Sequence, residues 1–158
     1  MGVEIERKFL VVGDSWRADV RSATSIAQGY LSEGDGATVR VRVRGDQAFL
    51  TIKGRTEGIT RSEYEYEIPV SEAKAMLAEL AQGPVIEKTR HIVEVAGRMW
   101  ELDVFAGDNE GLVMAELELS SADEQYPLPS WAGAEVSDDA RYYNVNLAKH
   151  PYREWGGR

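Results

Sequence analysis

Charged side chains at every second position, sorted by sign from segment to segment, constrain this chain more than any other feature. Arg40, Arg42 and Arg44 alternate with Val39, Val41 and Val43, and Glu63, Glu65 and Glu67 alternate with Tyr64, Tyr66 and Ile68. Near the N-terminus Glu4, Glu6 and Lys8 have Ile5, Arg7 and Phe9 between and after them. The spacing returns in Lys53 and Arg55, Lys88 and Arg90, Glu101 and Asp103, and Glu116 and Glu118. Period 2 is the mark of a β-strand, whose successive side chains point to opposite faces. For one strand, a sheet with one face in water explains the pattern. The set asks for more. Side chains two apart on a strand lie about 6.5–7 Å from each other, so three arginines crowd positive charge. A surface built for solubility would mix the signs.

The segments "VEIERKFLVV", "TSIAQGYLSE", "ATVRVRVRGD", "RGDQAFLTIKGR", "TRSEYEYEIPV", "VIEKTRHIVEVA", "MWELDVFAG" and "GLVMAELELS" read as strands. Turns are expected at Gly34-Asp35-Gly36, Gly45-Asp46 and Ala96-Gly97-Arg98. The Arg-Gly-Asp triplet at Arg44 is read as a hairpin turn rather than an adhesion motif. Ser71 to Gln82 is expected to be helical, with Ser71 as N-cap, an apolar stripe of Ala73, Met76, Leu77 and Leu80, and Gly83-Pro84 as its stop. Ser121 and Glu124 suggest a short capping box. "YPLPSWAGAEV" reads as irregular, and Ser137 as the cap of a last helix, "DDARYYNVNLAKH", stopped by Pro151. The total is about eight strands and two or three short helices, with turn connections that favour an antiparallel sheet.

A length of 158 residues suits one domain, taken as 1–158. A net charge of −9, from 27 acids against 18 bases, argues against a nucleic-acid polymer as partner. It leaves room for a local basic pocket. The absence of cysteine removes thiolate metal sites and disulfides, and two histidines cannot build a His-rich zinc centre. No apolar run is long enough to span a membrane, and the N-terminus has no signal-peptide pattern, so a cytoplasmic location is expected.

Closing the sheet into a barrel would remove its unpaired edges and gather the charged faces around one lumen. The apolar faces would then point outward, to be covered by helices, irregular segments or a second subunit in a homodimer. A lumen of bases and carboxylates suits a polyanion carrying divalent cations. Bases take phosphate oxygens, and carboxylates hold hard cations such as Mg²⁺ or Mn²⁺.

The motif "EIERK" (Glu4, Glu6, Lys8) resembles the ExExK signature of the CYTH superfamily, the triphosphate tunnel metalloenzymes. "QGYLS", "VRVR", "TIKG", "EYEYEI", "EKTR", "ELDVF", "AELEL" and "DDARYYN" follow in that family's order and cover most of the chain. The resemblance implies an α+β fold, an eight-stranded antiparallel closed β-barrel with a few short helices, whose tunnel binds a triphosphate and one or two divalent metals. It further implies Glu4, Glu6, Glu116, Glu118 and Asp103 as metal ligands. Lys8, Arg40, Arg42, Lys53, Lys88 and Arg90 become the phosphate clamp. Glu63, Glu65 and Asp103 would hold metal-bound water or orient the bases by ion pairs. Lys88 and Tyr30 are the further catalytic candidates. Arg44, Arg55 and Glu67 have lumen parity and are expected near the tunnel mouth. His91, one residue on from Arg90, is expected outside the lumen, and the four tryptophans in packing.

The reaction expected from the resemblance is metal-dependent hydrolysis of inorganic triphosphate, cofactor Mg²⁺ or Mn²⁺. The same tunnel also serves class IV adenylate cyclases and thiamine triphosphatases. A binding module without turnover is the non-enzymatic alternative. There is no Walker-type glycine loop and no Ser-His-Asp or Cys-His constellation in the sequence.

Overall fold

The computed structural model describes residues 2–32 and 36–155. The alternating segments form strands β1 (Gly2–Val11), β2 (Val20–Ser32), β3 (Thr38–Arg44), β4 (Gln47–Lys53), β5 (Thr60–Ile68), β6 (Ile86–Val95), β7 (Arg98–Phe105) and β8 (Val113–Glu118). They hydrogen-bond in the order β5-β4-β3-β2-β6-β7-β8-β1, every pairing antiparallel, and a β1–β5 pairing closes the ring. The expected eight-stranded closed barrel is the fold. The two-residue hairpin between β6 and β7 places Ala96 (φ 51°) and Gly97 (φ 78°) in the left-handed region, as a turn of matching twist requires. The turn expected at Gly34-Asp35-Gly36 lies, except for Gly36, outside the described residues.

β1 serves two neighbours along one edge. Gly2 to Ile5 pair with β5, whereas Phe9 and Val11 pair with a ninth strand, β9 (Ala132–Glu135), across a register shift. Between the two partners the Ile59 carbonyl accepts from the Glu6 N–H at 3.3 Å. β9 falls in the stretch expected to be irregular. Four residues following Pro127 and Pro129 are too few for alternation to be read.

Helix α1 (Val70–Leu80) begins one residue before the expected start. Pro69 takes the N-cap position, and its carbonyl accepts from the Ala73 N–H at 3.0 Å. Ser71 therefore lies in the first turn rather than capping it. The last expected helix breaks into a 3-10 turn, Ala140–Tyr142, and a short helix α2, Asn144–Lys149. Asp139 caps that turn, while the Ser137 hydroxyl accepts from the Lys8 N–H and donates to Glu135. At Ser121 no helix forms; Glu124 accepts from the Ser120 N–H in a turn.

The barrel wears its apolar faces outside. Phe9, Val93, Trp100, Leu102, Ala115 and Leu117 form one outer core, covered by Trp16 from the 3-10 turn Ser15–Asp19 and by Leu119, Tyr126 and Trp131. Trp100 meets Phe9 and Trp131 edge-on at 5.7 and 5.4 Å. A second outer core lies under α1, where Ala73, Met76 and Leu77 pack over Val41 and Ala48. Gly29 lets α1 come this close, since a Cβ there would stand 2.9 Å from Leu77 Cδ2 and 3.1 Å from Ala81 Cβ.

The third core fills one end of the lumen. Leu10, Ile86, Phe105 and Met114 continue the inward-facing rows of β1, β6, β7 and β8, but carry no charge. They pack with Tyr142, Leu147, Ala148 and Trp155 from the C-terminal segment. That segment thus closes the barrel at this end. No helix among the described residues is long and apolar enough to cross a membrane.

Candidate active site

The remainder of the lumen is a cavity of about 260 Å³ lined by eight bases and seven carboxylates. Strand register brings them together. Across β1 and β8, Glu6 stands opposite Glu118 and Lys8 opposite Glu116. Glu4 faces Arg61 across β1–β5, and Lys53 faces Glu63 across β4–β5. Of the residues singled out from the sequence, Glu4, Glu6, Lys8, Tyr30, Arg40, Arg42, Lys53, Glu63, Glu65, Lys88, Arg90, Glu116 and Glu118 all line this cavity, as does Arg44. Asp103 does not. It lies buried behind the lining, bound twice by Arg90 at 2.8 Å and once by Lys88 at 2.7 Å. Arg55 and Glu67 are not among the lining residues; Glu67, exposed to solvent, accepts from Gln47. His91 faces outward against Trp16.

Acids and bases engage one another throughout. Lys53 Nζ sits 3.0 Å from Glu4 and 3.6 Å from Glu63. Glu116 lies 3.7 Å from Lys8 and 3.4 Å from Arg90. Glu65 accepts from the Thr51 hydroxyl at 2.9 Å and stands 3.6 Å from Arg40. Gln28, wholly buried, accepts from Arg42 Nε at 2.7 Å and donates to the Tyr30 hydroxyl at 3.1 Å. Among the described residues no three acids converge into a ready cage for a metal ion.

The crowding shifts several groups. Burial pushes the Arg42 guanidinium down to about 9, with Arg40 and Arg90 adding their repulsion. Burial likewise lowers the Lys88 amine to about 7, against the pull of Asp103 and with the help of Arg90 and Arg42. Asp103 is held down at about 2: burial opposes its charge, but Lys88 and Arg90 outweigh that. Glu6 goes the other way, raised well above the usual carboxylate range by burial and by Glu116 and Glu4. Burial also opposes the charge on Glu116, but Lys8, Arg90 and a hydrogen bond from Glu6 keep it ionised to low pH. Glu6 therefore holds its proton more tightly than Glu116, as one of two adjacent buried carboxyls does. Arg40 Nε is buried without a hydrogen-bond partner among the described residues.

Sequence reasoning missed Arg61, which has the same parity as Glu63 and Glu65 and lines the cavity. It named Glu101 only as a spacing partner, yet Glu101 also lines the wall, 3.3 Å from Arg90. Gln28 could have been found from its i, i+2 relation to Tyr30. Ser137, Tyr143 and Asn144 carry no such signal, because they reach the lumen from the C-terminal segment rather than from a strand.

Known proteins share this arrangement. A family model for the CYTH domain matches residues 2–152. A protein named inorganic triphosphatase from Acetivibrio thermocellus is 47% identical over 98% of this chain and 99% of its own. Another of that name, from Nitrosomonas europaea, is 39% identical over 92% of this chain and 96% of its own. A crystal structure described as an inorganic triphosphatase is similar with a TM-score of 0.67 at 38% identity, covering 94% of this chain and 95% of that one. With its charged barrel lumen and a family match over nearly its whole length, the chain belongs to the CYTH domain family.

Proposed function

We propose that this protein is an inorganic triphosphatase, hydrolysing tripolyphosphate to phosphate and diphosphate inside the barrel. The observation that carries the reading is the barrel lumen, closed at one end, in which clustered bases face clustered carboxylates around about 260 Å³. The cavity, about 260 Å³, lies below the roughly 300–1,000 Å³ usual for drug-sized ligands, which favours the smallest triphosphate. The two curated relatives bear the same activity in their names.

Lys8, Arg40, Arg42, Lys53 and Arg90 would bind the phosphate oxygens. An anion there relieves the repulsion among Arg40, Arg42 and Arg90 and gives the buried Arg40 Nε an acceptor. The carboxylates are the oxygen donors a hard divalent cation takes, though no three of the described acids converge before one binds. Glu6 donates a hydrogen bond to Glu116, a cation could take that proton's place, and Glu4 and Glu118 stand near them on the same two strands. Mg²⁺ or Mn²⁺ held by these four glutamates would neutralise charge on the phosphate oxygens. Lys88, neutral above about pH 7, would take the proton from the attacking water. As the water oxygen bonds to the terminal phosphorus, the bridging P–O bond breaks and diphosphate departs. Asp103 holds Lys88 and Arg90 in place. Glu63 and Glu65 orient Lys53 and Arg40, and Tyr30 supports Gln28 beneath Arg42.

The substrate is small and soluble, in a cytoplasmic setting, with no polymer or membrane partner. A homodimer would cover Val3, Tyr64 and Tyr66, which are exposed on the outer surface; size-exclusion chromatography tests that. The functional reading is tested by a substrate panel of tripolyphosphate, ATP and thiamine triphosphate, with Mg²⁺ and with Mn²⁺. Phosphate released fastest from tripolyphosphate supports it. Cyclic AMP and diphosphate from ATP, with no phosphate from tripolyphosphate, would sink it. Tight triphosphate binding indifferent to EDTA and without turnover would make the protein a binding module.

A further inference from the structure

The C-terminal segment does more than fill the barrel end. Asn144, the first residue of α2, lines the cavity and aims its carbonyl oxygen at two lumen groups. Its Oδ1 accepts from Lys88 Nζ at 3.2 Å and from Gln28 Nε2 at 3.4 Å. Lys88 Nζ also lies 2.7 Å from Asp103 Oδ2. A lysine nitrogen has four tetrahedral directions, one taken by its own carbon. Asp103 and Asn144 occupy two more and leave one for the cavity.

We infer that Asn144 is a positioning residue for the reaction: it fixes the orientation of the Lys88 nitrogen, so that turnover depends on the docked C-terminal segment. The inference rests on the triphosphatase reading above. A four-carbon stem would otherwise let Nζ swing about its contact with Asp103, since one hydrogen bond fixes a distance but not a direction. The second acceptor comes from the far end of the sequence and is held there by packing. Leu147 and Ala148 of α2 are buried against Ile86, Phe105 and Met114. Losing Asn144 should therefore slow the chemical step more than it weakens binding, because among the described contacts it reaches the phosphate clamp indirectly, through Gln28 to Arg42.

The test compares wild type, Asn144→Leu and Asn146→Ala on tripolyphosphate with Mg²⁺, with thermal melts alongside. Asn144→Leu keeps the size and removes the acceptor. It is expected to lower kcat by about 10- to 100-fold with KM changed less than about threefold, the range of a small misplacement of a catalytic group. Asn146→Ala removes a bond on the exposed side of the same helix, to the Ala140 carbonyl, and is expected to keep wild-type kcat. Wild-type kcat in a folded Asn144→Leu would overturn the inference. So would an equal loss in Asn146→Ala, since helix docking in general would then be responsible. If Asn144→Leu melts early, Asn144→Ser takes its place, with the same kcat loss expected and the same contrary result. Absence of turnover in wild type would overturn the functional reading and this inference with it. Turnover in wild type that Asn144→Leu leaves untouched overturns this inference alone.

Discussion

Lys88 is almost wholly buried, and that decides what its amine can do. Burial destabilises the ammonium, and Arg90 and Arg42 repel it, so it loses its proton near pH 7. A base works when neutral. The rate should rise as pH passes through about 7 and level off above it, provided the metal is saturating throughout. Lys88→Gln should lower kcat by about 10²- to 10⁴-fold, the usual worth of a positioned base, and abolish that rise. Arg42 belongs to a different step. Arg42→Ala should raise KM for tripolyphosphate by about 10- to 100-fold, matching the loss of one charge-assisted hydrogen bond, with less effect on kcat. The parity of charged residues made most of this wall legible in the sequence, because alternation on a strand maps directly to inside and outside. Asp103 shows where parity stops. It has lumen parity, yet its two bases cover it, and side-chain reach is not encoded in spacing.

Among the elements, the strands could be read, whereas the C-terminal segment showed its helical stretch and family block but not where it packs. Each of the eight barrel strands runs for six or more residues, long enough for alternation to show. The closure of the lumen depends instead on where the inward rows of β1, β6, β7 and β8 change from charge to Leu10, Ile86, Phe105 and Met114. That change looks like ordinary strand-end hydrophobicity until Leu147 and Tyr142 are seen packed on it. β9 was likewise hidden, because its four residues owe their pairing to the edge that β1 exposes beyond β5. Gly29 has a reason visible only in three dimensions. Its bare Cα lets α1 lie close on β2, so Gly29→Val should cost about 1–3 kcal/mol through overpacking against Leu77 and Ala81. Chemical denaturation of the folded variant measures it; an unchanged midpoint would mean α1 is free to lift away.

At the scale of the whole molecule, a chain of net charge −9 keeps a nearly balanced set of eight bases and seven acids inside its barrel. A polyanion alone would leave the acids opposed, and a cation alone the bases. The pair together should stabilise the fold more than either. At about 100 times its dissociation constant a ligand adds about 2.7 kcal/mol, or about 5–10 °C in a domain of this size. A non-hydrolysable triphosphate analogue with Mg²⁺ should give a melting shift of that order, and the analogue in EDTA much less. Equal shifts in both would remove the cation from the account.

The most direct test follows tripolyphosphate by phosphorus NMR, with the protein and Mg²⁺ or Mn²⁺. Phosphate and diphosphate should grow in equal amounts, stop when EDTA is added, and be absent with folded Glu6→Ala. Tripolyphosphate left intact by the wild type, or cleaved as well by Glu6→Ala, would contradict a triphosphatase working through this lumen.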